Sequence, residues 1–243
     1  MPRQHPYLEM LCALSLTLTH RVCYSMVGEI LSNQNTNHWR LLISPWDLSI
    51  PYVPFFILPY LFVWFYAGFV LFYSLIFKSY DHILFRYFYL SFLTLTIIES
   101  LLWLTFPASI MIRVPLDVLN NSSWLGSLTI FVYKKATPWN VFPSAHIASS
   151  YMILLFSKYF AVSGHRRYFF LISLLICLSV LLIKNHYLAD IIAGILLGHV
   201  VYRFIFIPTY KSRILDHIST PTILFFSYVI YGITILFSLI SIY

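Results

Sequence analysis

The sequence predicts an all-α, polytopic transmembrane helix bundle, and three observations carry that expectation. Of the 243 residues, 60% are hydrophobic and 19% aromatic, and the mean hydropathy is +0.82. Only 9% are charged, against about a quarter in ordinary soluble domains. Apolar runs of about 20 residues recur along the chain, the length a helix needs to cross roughly 30 Å of hydrocarbon. The expected architecture is a six-helix core plus a seventh C-terminal helix, forming one integral membrane domain over residues 1–243. The formal net charge of +7 would point to nucleic acid in a soluble protein. Here the basic residues sit in short loops between apolar runs, where they fit membrane orientation and anionic lipid headgroups. Membrane lipid is the expected partner and nucleic acid is not.

The elements follow in order. Leu8–Leu18 is apolar, His20-Arg21 interrupts it, and Val22–Leu31 resumes. No small-residue cleavage site follows the short apolar core, so a first span over residues 8–31 is expected rather than a signal peptide. Ser32–Trp39 is polar and loop-like. Pro45, Pro51 and Pro54 then stop any helix before the next begins. Tyr52–Phe77 is the second span and tolerates Pro59, as membrane helices do. Lys78–Arg86 is a charged turn, and Tyr87–Phe106 is the third span. Glu99 inside it reads as a structural carboxylate hydrogen-bonded to a neighbouring helix, with a functional role as the alternative.

Pro107–Val141 is the longest weakly apolar segment, and its aromatic content argues for order and function. Within it Asn120-Asn121-Ser122 fits a glycosylation pattern that is common by chance. Lys134 and Lys135 read equally as solvated charges or as phosphate ligands. Ser144–Phe160 is the fourth span, with Pro143 suited to a first helical position. A basic loop around Gly164 leads to the fifth span, Tyr168–Ile183, and His186–Ile207 is the sixth. Its Gly194 and Gly198 form a small-xxx-small face for close helix approach. His199 reads as structural, Thr222–Ser241 is the seventh span, and Cys12, Cys23 and Cys177 read as small apolar residues.

If these spans alternate, Arg3, Lys78, Arg86, Lys158, Arg166, Arg167, Lys211 and Arg213 share one face. Arg40, Arg113, Lys134, Lys135 and Lys184 share the other. The richer face belongs in the cytoplasm. The poorer face is then extracytoplasmic, and it carries every chemically unusual side chain: Arg113, Ser144, His146, Lys184, His186 and Asp190. The expected location is the plasma or inner membrane.

Two stretches stand out there: Phe142-Pro143-Ser144-Ala145-His146, and Lys184-Asn185-His186-Tyr187-Leu188-Ala189-Asp190. On a continuous helix His186 and Asp190 would share a face, about 5.4 Å apart along the axis. A carboxylate so placed accepts a proton from one imidazole nitrogen and leaves the other free as base, nucleophile or ligand. Two histidines, a carboxylate, a serine and several cations suit phosphoryl transfer. One imidazole attacks phosphorus, a second protonates the leaving oxygen, and cations, hydroxyl and helix N-terminal amides hold the remaining oxygens. The plainer readings are hydrogen-bonded core histidines, a serine that merely begins a helix, or a metal site. No third and fourth metal ligand recur at convincing spacing.

Phe142–His146 and His186–Asp190 followed by Gly194 resemble two signature motifs of the type 2 phosphatidic acid phosphatase/haloperoxidase superfamily. The resemblance runs from about Pro45 to Gly198, within residues 45–200. It implies a metal-independent, cofactor-free membrane lipid phosphatase acting on a lipid phosphate or diphosphate through a phosphohistidine. Under it His186 is the nucleophile, Asp190 its orienting partner and His146 the general acid, while Ser144 and Arg113 bind phosphate. The chain departs from the pattern at Ala145, where glycine is usual, and at Arg113-Val114-Pro115, where Arg-Pro is usually adjacent. It departs also at Val180, where an arginine is usual and for which Lys184 is the expected substitute. The rival readings are a lipid phosphotransferase with an acceptor alcohol, and a non-enzymatic transporter or scaffold. The sequence leaves the oligomeric state open.

Overall fold

The computed structural model describes residues 6–33, 41–77, 81–120 and 123–214, with Thr222, Phe225 and Val229. Apart from those three positions, the seventh span expected over Thr222–Ser241 lies outside the described residues, as do Asn121 and Ser122. Among the described residues every regular element is helical. They are α1 (Pro6–Ser32), α2 (Pro45–Ser49), a 3₁₀ turn (Pro54–Phe56) leading into α3 (Ile57–Ile76), and α4 (His82–Thr105). After them come α5 (Leu116–Asn120), α6 (Trp124–Lys135), α7 (Ala145–Phe160), α8 (Arg166–Leu182) and α9 (Leu188–Val201). A π-helical turn (Tyr202–Phe206) and α10 (Ile207–Ser212) extend α9. One isolated parallel bridge joins Ala108 to Asn140.

Among the described residues three helices are long and apolar enough to cross a membrane: Pro54–Ile76, Ile83–Thr105 and Leu188–Ser212. At 16 and 17 residues, α7 and α8 are about 24–26 Å long. The outward surface is apolar where a soluble protein would be charged. On α9, Ile192, Leu196 and Val200 recur at every fourth position and face out, while Ile191, Gly194, Leu197, Gly198 and Val201 face in. Such a surface is suited to contact with a membrane or another apolar partner.

Local chemistry moves several expected boundaries. α1 runs unbroken through His20-Arg21. α4 starts ahead of Tyr87 because Asp81 caps it, accepting from the Ile83 and Leu84 N–H groups at 2.9 and 3.3 Å. Pro45 begins the single turn of α2 rather than excluding a helix, since a first-turn residue needs no N–H partner. Pro143 precedes the N-cap, Ser144, instead of occupying the first helical position. The π turn ends two residues before Pro208, whose ring and missing N–H disturb the preceding turn of the helical ladder.

Polar side chains inside this apolar matrix are satisfied locally or tie helices together. Ser74, Ser91 and Thr94 donate to carbonyls four residues back. Ser173 of α8 donates to the Ser150 carbonyl of α7 at 3.0 Å and also meets the Tyr66 hydroxyl of α3 at 3.3 Å. Away from the two motifs, one end of the bundle is an aromatic core. Phe88 stacks on Phe156 at 4.1 Å between centroids, Phe85 packs edge-on against Phe156, and Phe169 packs edge-on against Phe160. Each such pair adds about 0.5–1.5 kcal/mol beyond the area it buries.

α7 packs on both α8 and α9, α1 on α4, and α3 on α8. The α7–α9 contact is the closest. A Cβ at Gly194 would stand 2.7 Å from the Ser144 carbonyl oxygen, and one at Gly198 2.7 Å from the Ala148 carbonyl oxygen. Only glycine allows the two backbones to approach so closely. A second tie comes from α2. The buried Asp47 accepts the Leu188 N–H at 2.8 Å through Oδ1, and the Ser44 N–H and hydroxyl at 2.7 and 2.6 Å through Oδ2. Its backbone carbonyl accepts from Lys184 Nζ at 2.8 Å. The foot of α9 is thereby fastened to a short helix some 140 residues earlier.

Two outcomes follow. Gly194→Val and Gly198→Val each force α7 and α9 apart and lower stability by about 1–3 kcal/mol, read as earlier melting of the detergent-solubilised protein. Asp47→Ala strands the Leu188 N–H and costs about 1–3 kcal/mol, whereas Asp47→Asn keeps an acceptor oxygen and loses less in the same melt.

Candidate active site

The end of α8 shapes the first half of the site. Lys184 adopts the left-handed conformation (φ 56°) in which glycine is usual. Its N–H reaches the Leu181 carbonyl at 2.9 Å, and the Asn185 N–H reaches the Val180 carbonyl at 3.1 Å. This pair of bonds is the Schellman closure of a helix. The His186 N–H also donates to the Val180 carbonyl, at 3.2 Å. Val180 thus supports the turn through its backbone while its side chain is buried in the core.

His186 lies in that turn and Asp190 in the first turn of α9, so they do not share a helix face as the spacing suggested. They meet across the helix start. Asp190 Oδ2 accepts the Tyr187 N–H at 2.8 Å and lies 3.2 Å from His186 Nδ1. A first-turn carboxylate at a helix N-terminus is also favoured by the helix dipole. Both side chains are buried. With Nδ1 directed at the carboxylate, Nε2 is the nitrogen left for chemistry.

The start of α7 forms the second half. Its N-cap, Ser144, is fully buried, and its N–H donates to the Asp190 carbonyl at 3.2 Å. The Ser144 hydroxyl and Asp190 Oδ1 are buried with no hydrogen-bond partner among the described residues. Two helix N-termini, those of α7 and α9, converge here, and their first-turn amides favour an anion. His146 stands beside His186, the rings edge-to-face at 5.7 Å. The other side of the His146 ring is stacked on Tyr60 at 4.6 Å.

Arg113 and Lys184 are engaged by the protein itself. Arg113 donates to Asn185 Oδ1 through Nε and Nη2 at 3.1 and 2.8 Å, and to the Tyr133 and Ala136 carbonyls through Nη1 at 3.2 Å. Its guanidinium lies over the Tyr133 ring. Burial lowers the pKa of Arg113 from its ordinary value and raises that of the Tyr133 hydroxyl to about 12. Lys184 holds the Asp47 carbonyl, and burial lowers its pKa against the opposing pull of the Asp47 charge.

A cavity of about 550 Å³ opens in front of the two histidines. His146, His186, Asn185 and Tyr60 line it, with Trp64, Phe88, Phe92 and Trp103 making an aromatic wall. Phe65 and Phe131, both largely exposed, also line it and mark its outer rim. His20, Arg21 and Lys135 reach it as well. Of the residues expected from sequence, His146 and His186 stand on the cavity wall, whereas Ser144, Asp190, Arg113 and Lys184 stand behind it. Glu99 is fully buried beside α1, 3.6 Å from His20 Nδ1, without the hydrogen bond expected of it. Among the described residues no three His, Cys, Asp or Glu side chains gather as a metal ligand set.

Sequence reasoning passed over Asn185, Tyr60 and Asp47. Asn185 links the Arg113 guanidinium to the Tyr60 hydroxyl, to which its Nδ2 donates at 2.8 Å, and Tyr60 supports His146. Its place beside His186 in an apolar surrounding was the available signal. Asp47 was signalled only as a lone carboxylate among prolines, and Tyr60 by nothing that separates it from other tyrosines of the span.

Residues 55–204 match the family model of the PAP2 superfamily. Searches of the curated proteins and of the solved structures returned no match. The matched segment is more than half of the chain and contains α3, the histidine of α7, and the histidine and aspartate at the foot of α9. The chain belongs to the PAP2 superfamily, whose members are generally phosphatases and phosphoesterases.

Proposed function

We propose that the protein is an integral membrane lipid phosphatase that works through a phosphohistidine on His186. The observation that carries this reading is the arrangement of one imidazole, oriented by a buried carboxylate, beside a second imidazole on the wall of an apolar cavity. A headgroup phosphate enters beside the histidines and the hydrocarbon tail occupies the aromatic part of the cavity. His186 Nε2 attacks phosphorus, and the bond from phosphorus to the lipid oxygen breaks. His146 gives that oxygen a proton, releasing the lipid alcohol. Asp190 stabilises the imidazolium formed on His186. Water then attacks phosphorus, His146 takes its proton, the P–N bond breaks and inorganic phosphate leaves.

The scheme uses the protein's own groups and calls on no metal. The substrate is a lipid phosphate or diphosphate, the helices beyond the three of membrane length also span the bilayer, and the site faces the extracytoplasmic side. The excess of Lys and Arg in the opposite loops supports that orientation.

Purified protein in detergent with chelator is expected to release phosphate from at least one member of a lipid phosphate panel. His186→Ala is expected to lower that rate by about 10³-fold or more, with unchanged melting. Asp190→Asn is expected to lower kcat by about 10²–10⁴-fold, since the imidazole loses its orienting acceptor. Rapid mixing with labelled substrate should trap an acid-labile phosphoprotein that the alanine variant lacks. Abolition of release by chelator would replace this scheme with metal chemistry. Turnover that requires an added alcohol would make the protein a phosphotransferase.

A further inference from the structure

The substrate's charge needs a counter-charge inside the cavity, and the candidates can be sorted by what they already hold. A phosphate monoester brings up to two negative charges, and phosphoryl transfer spreads charge over three oxygens that must be met by donors or cations. Arg113 spends its guanidinium on Asn185 and two backbone carbonyls. Lys184 spends its ammonium on the Asp47 carbonyl. Neither lines the cavity. The cations that share the cavity wall with His146 and His186 are Arg21 and Lys135. Lys135 is exposed at the end of α6, while Arg21 lies half-buried within α1.

Arg21 is held there by the protein. Its guanidinium sits over the rings of Trp64 and Tyr24 at 5.1 and 5.5 Å, and Nη2 donates to the Lys135 carbonyl at 3.2 Å. Among the described residues it has no carboxylate partner. A cation kept at membrane depth is costly. Two aromatic faces and one carbonyl fix its position but leave its charge uncompensated. Planar, multiply donating guanidinium is the side chain best matched to phosphate oxygens.

We propose that Arg21, on a helix that lies outside the family-matched residues, is the phosphate-binding cation of the site, with Lys135 beside it at the rim. The inference rests on the proposed phosphatase reading and names the group that recognises the anionic headgroup. Tyr24 and Asn140 secure its geometry. The Tyr24 hydroxyl donates to the Thr137 carbonyl at 3.3 Å and Asn140 Nδ2 donates to the Tyr24 carbonyl at 2.8 Å. These bonds fix α1 against the loop that leads into Ser144 and His146.

The test uses the full chain in detergent, with orthovanadate and inorganic phosphate as probes. Arg21→Gln can still donate to the Lys135 carbonyl but carries no charge. It is expected to bind both anions at least tenfold more weakly and to raise KM for a lipid phosphate similarly, with unchanged melting in anion-free buffer. Arg21→Lys is expected to recover part of the loss. Arg21→Met, which keeps the stem against the rings, serves as the neutral variant if the glutamine form does not purify folded. In the wild type, phenylglyoxal labelling of Arg21 should be slowed by orthovanadate, a readout that needs no variant. Unchanged anion affinity in the neutral variants, or labelling of Arg21 indifferent to orthovanadate, overturns the inference. If His186→Ala still loses turnover in that case, the phosphatase reading stands without it. If the wild type neither binds these anions nor turns over any lipid phosphate, both fail together.

Discussion

The site depends on how closely α7 and α9 approach. Two glycines one helical turn apart let the backbone of α9 lie against the Ser144 and Ala148 carbonyls. At that separation the Ser144 N–H reaches the Asp190 carbonyl. The bond joins the first turns of two helices that carry one histidine each at or beside their starts. Nothing in the apolar contacts alone would set the helices to this register, because hydrocarbon packs about as well against one leucine as another. Small residues and backbone hydrogen bonds supply the specificity.

Carboxylates do the second half of the positioning, each at a helix start. Asp190 collects the Tyr187 N–H and orients His186, and Asp47 collects the Leu188 N–H and through its carbonyl holds Lys184. In water such groups would be exchanged freely for solvent. In an apolar surrounding an N–H without an acceptor is expensive, so each carboxylate becomes an anchor. Arg113 does the same from the opposite sign, stitching the α5–α6 region to the turn that bears His186. The turn that bears His186 is therefore held by groups that are themselves anchored to the backbone.

Much of this was legible in the sequence, for definable reasons. Ionisable residues stand out where almost everything is apolar, which is why His146, His186 and Asp190 could be named before any geometry. Their four-residue spacing misled about the local structure, because the same spacing that joins two side chains on a helix also joins a residue before a helix to one in its first turn. Boundaries shifted where a single capping side chain decided them, as at Asp81, or where proline starts a turn instead of ending one, as at Pro45. Asn185, Tyr60 and Asp47 were hidden because their roles are long-range. Asp47 acts on residues some 140 positions away, and no local pattern records such a partner.

α1 contributes walls and a cation to a cavity whose two histidine motifs stand on later stretches of chain. The two jobs therefore fall to different stretches of chain, one inside the family-matched residues and one outside them. Under the proposed function, sequence drift in α1 can retune which molecules are admitted while His146 and His186 stay as they are. On that proposal, two proteins sharing the later helices and differing in the first would run one reaction on different substrates.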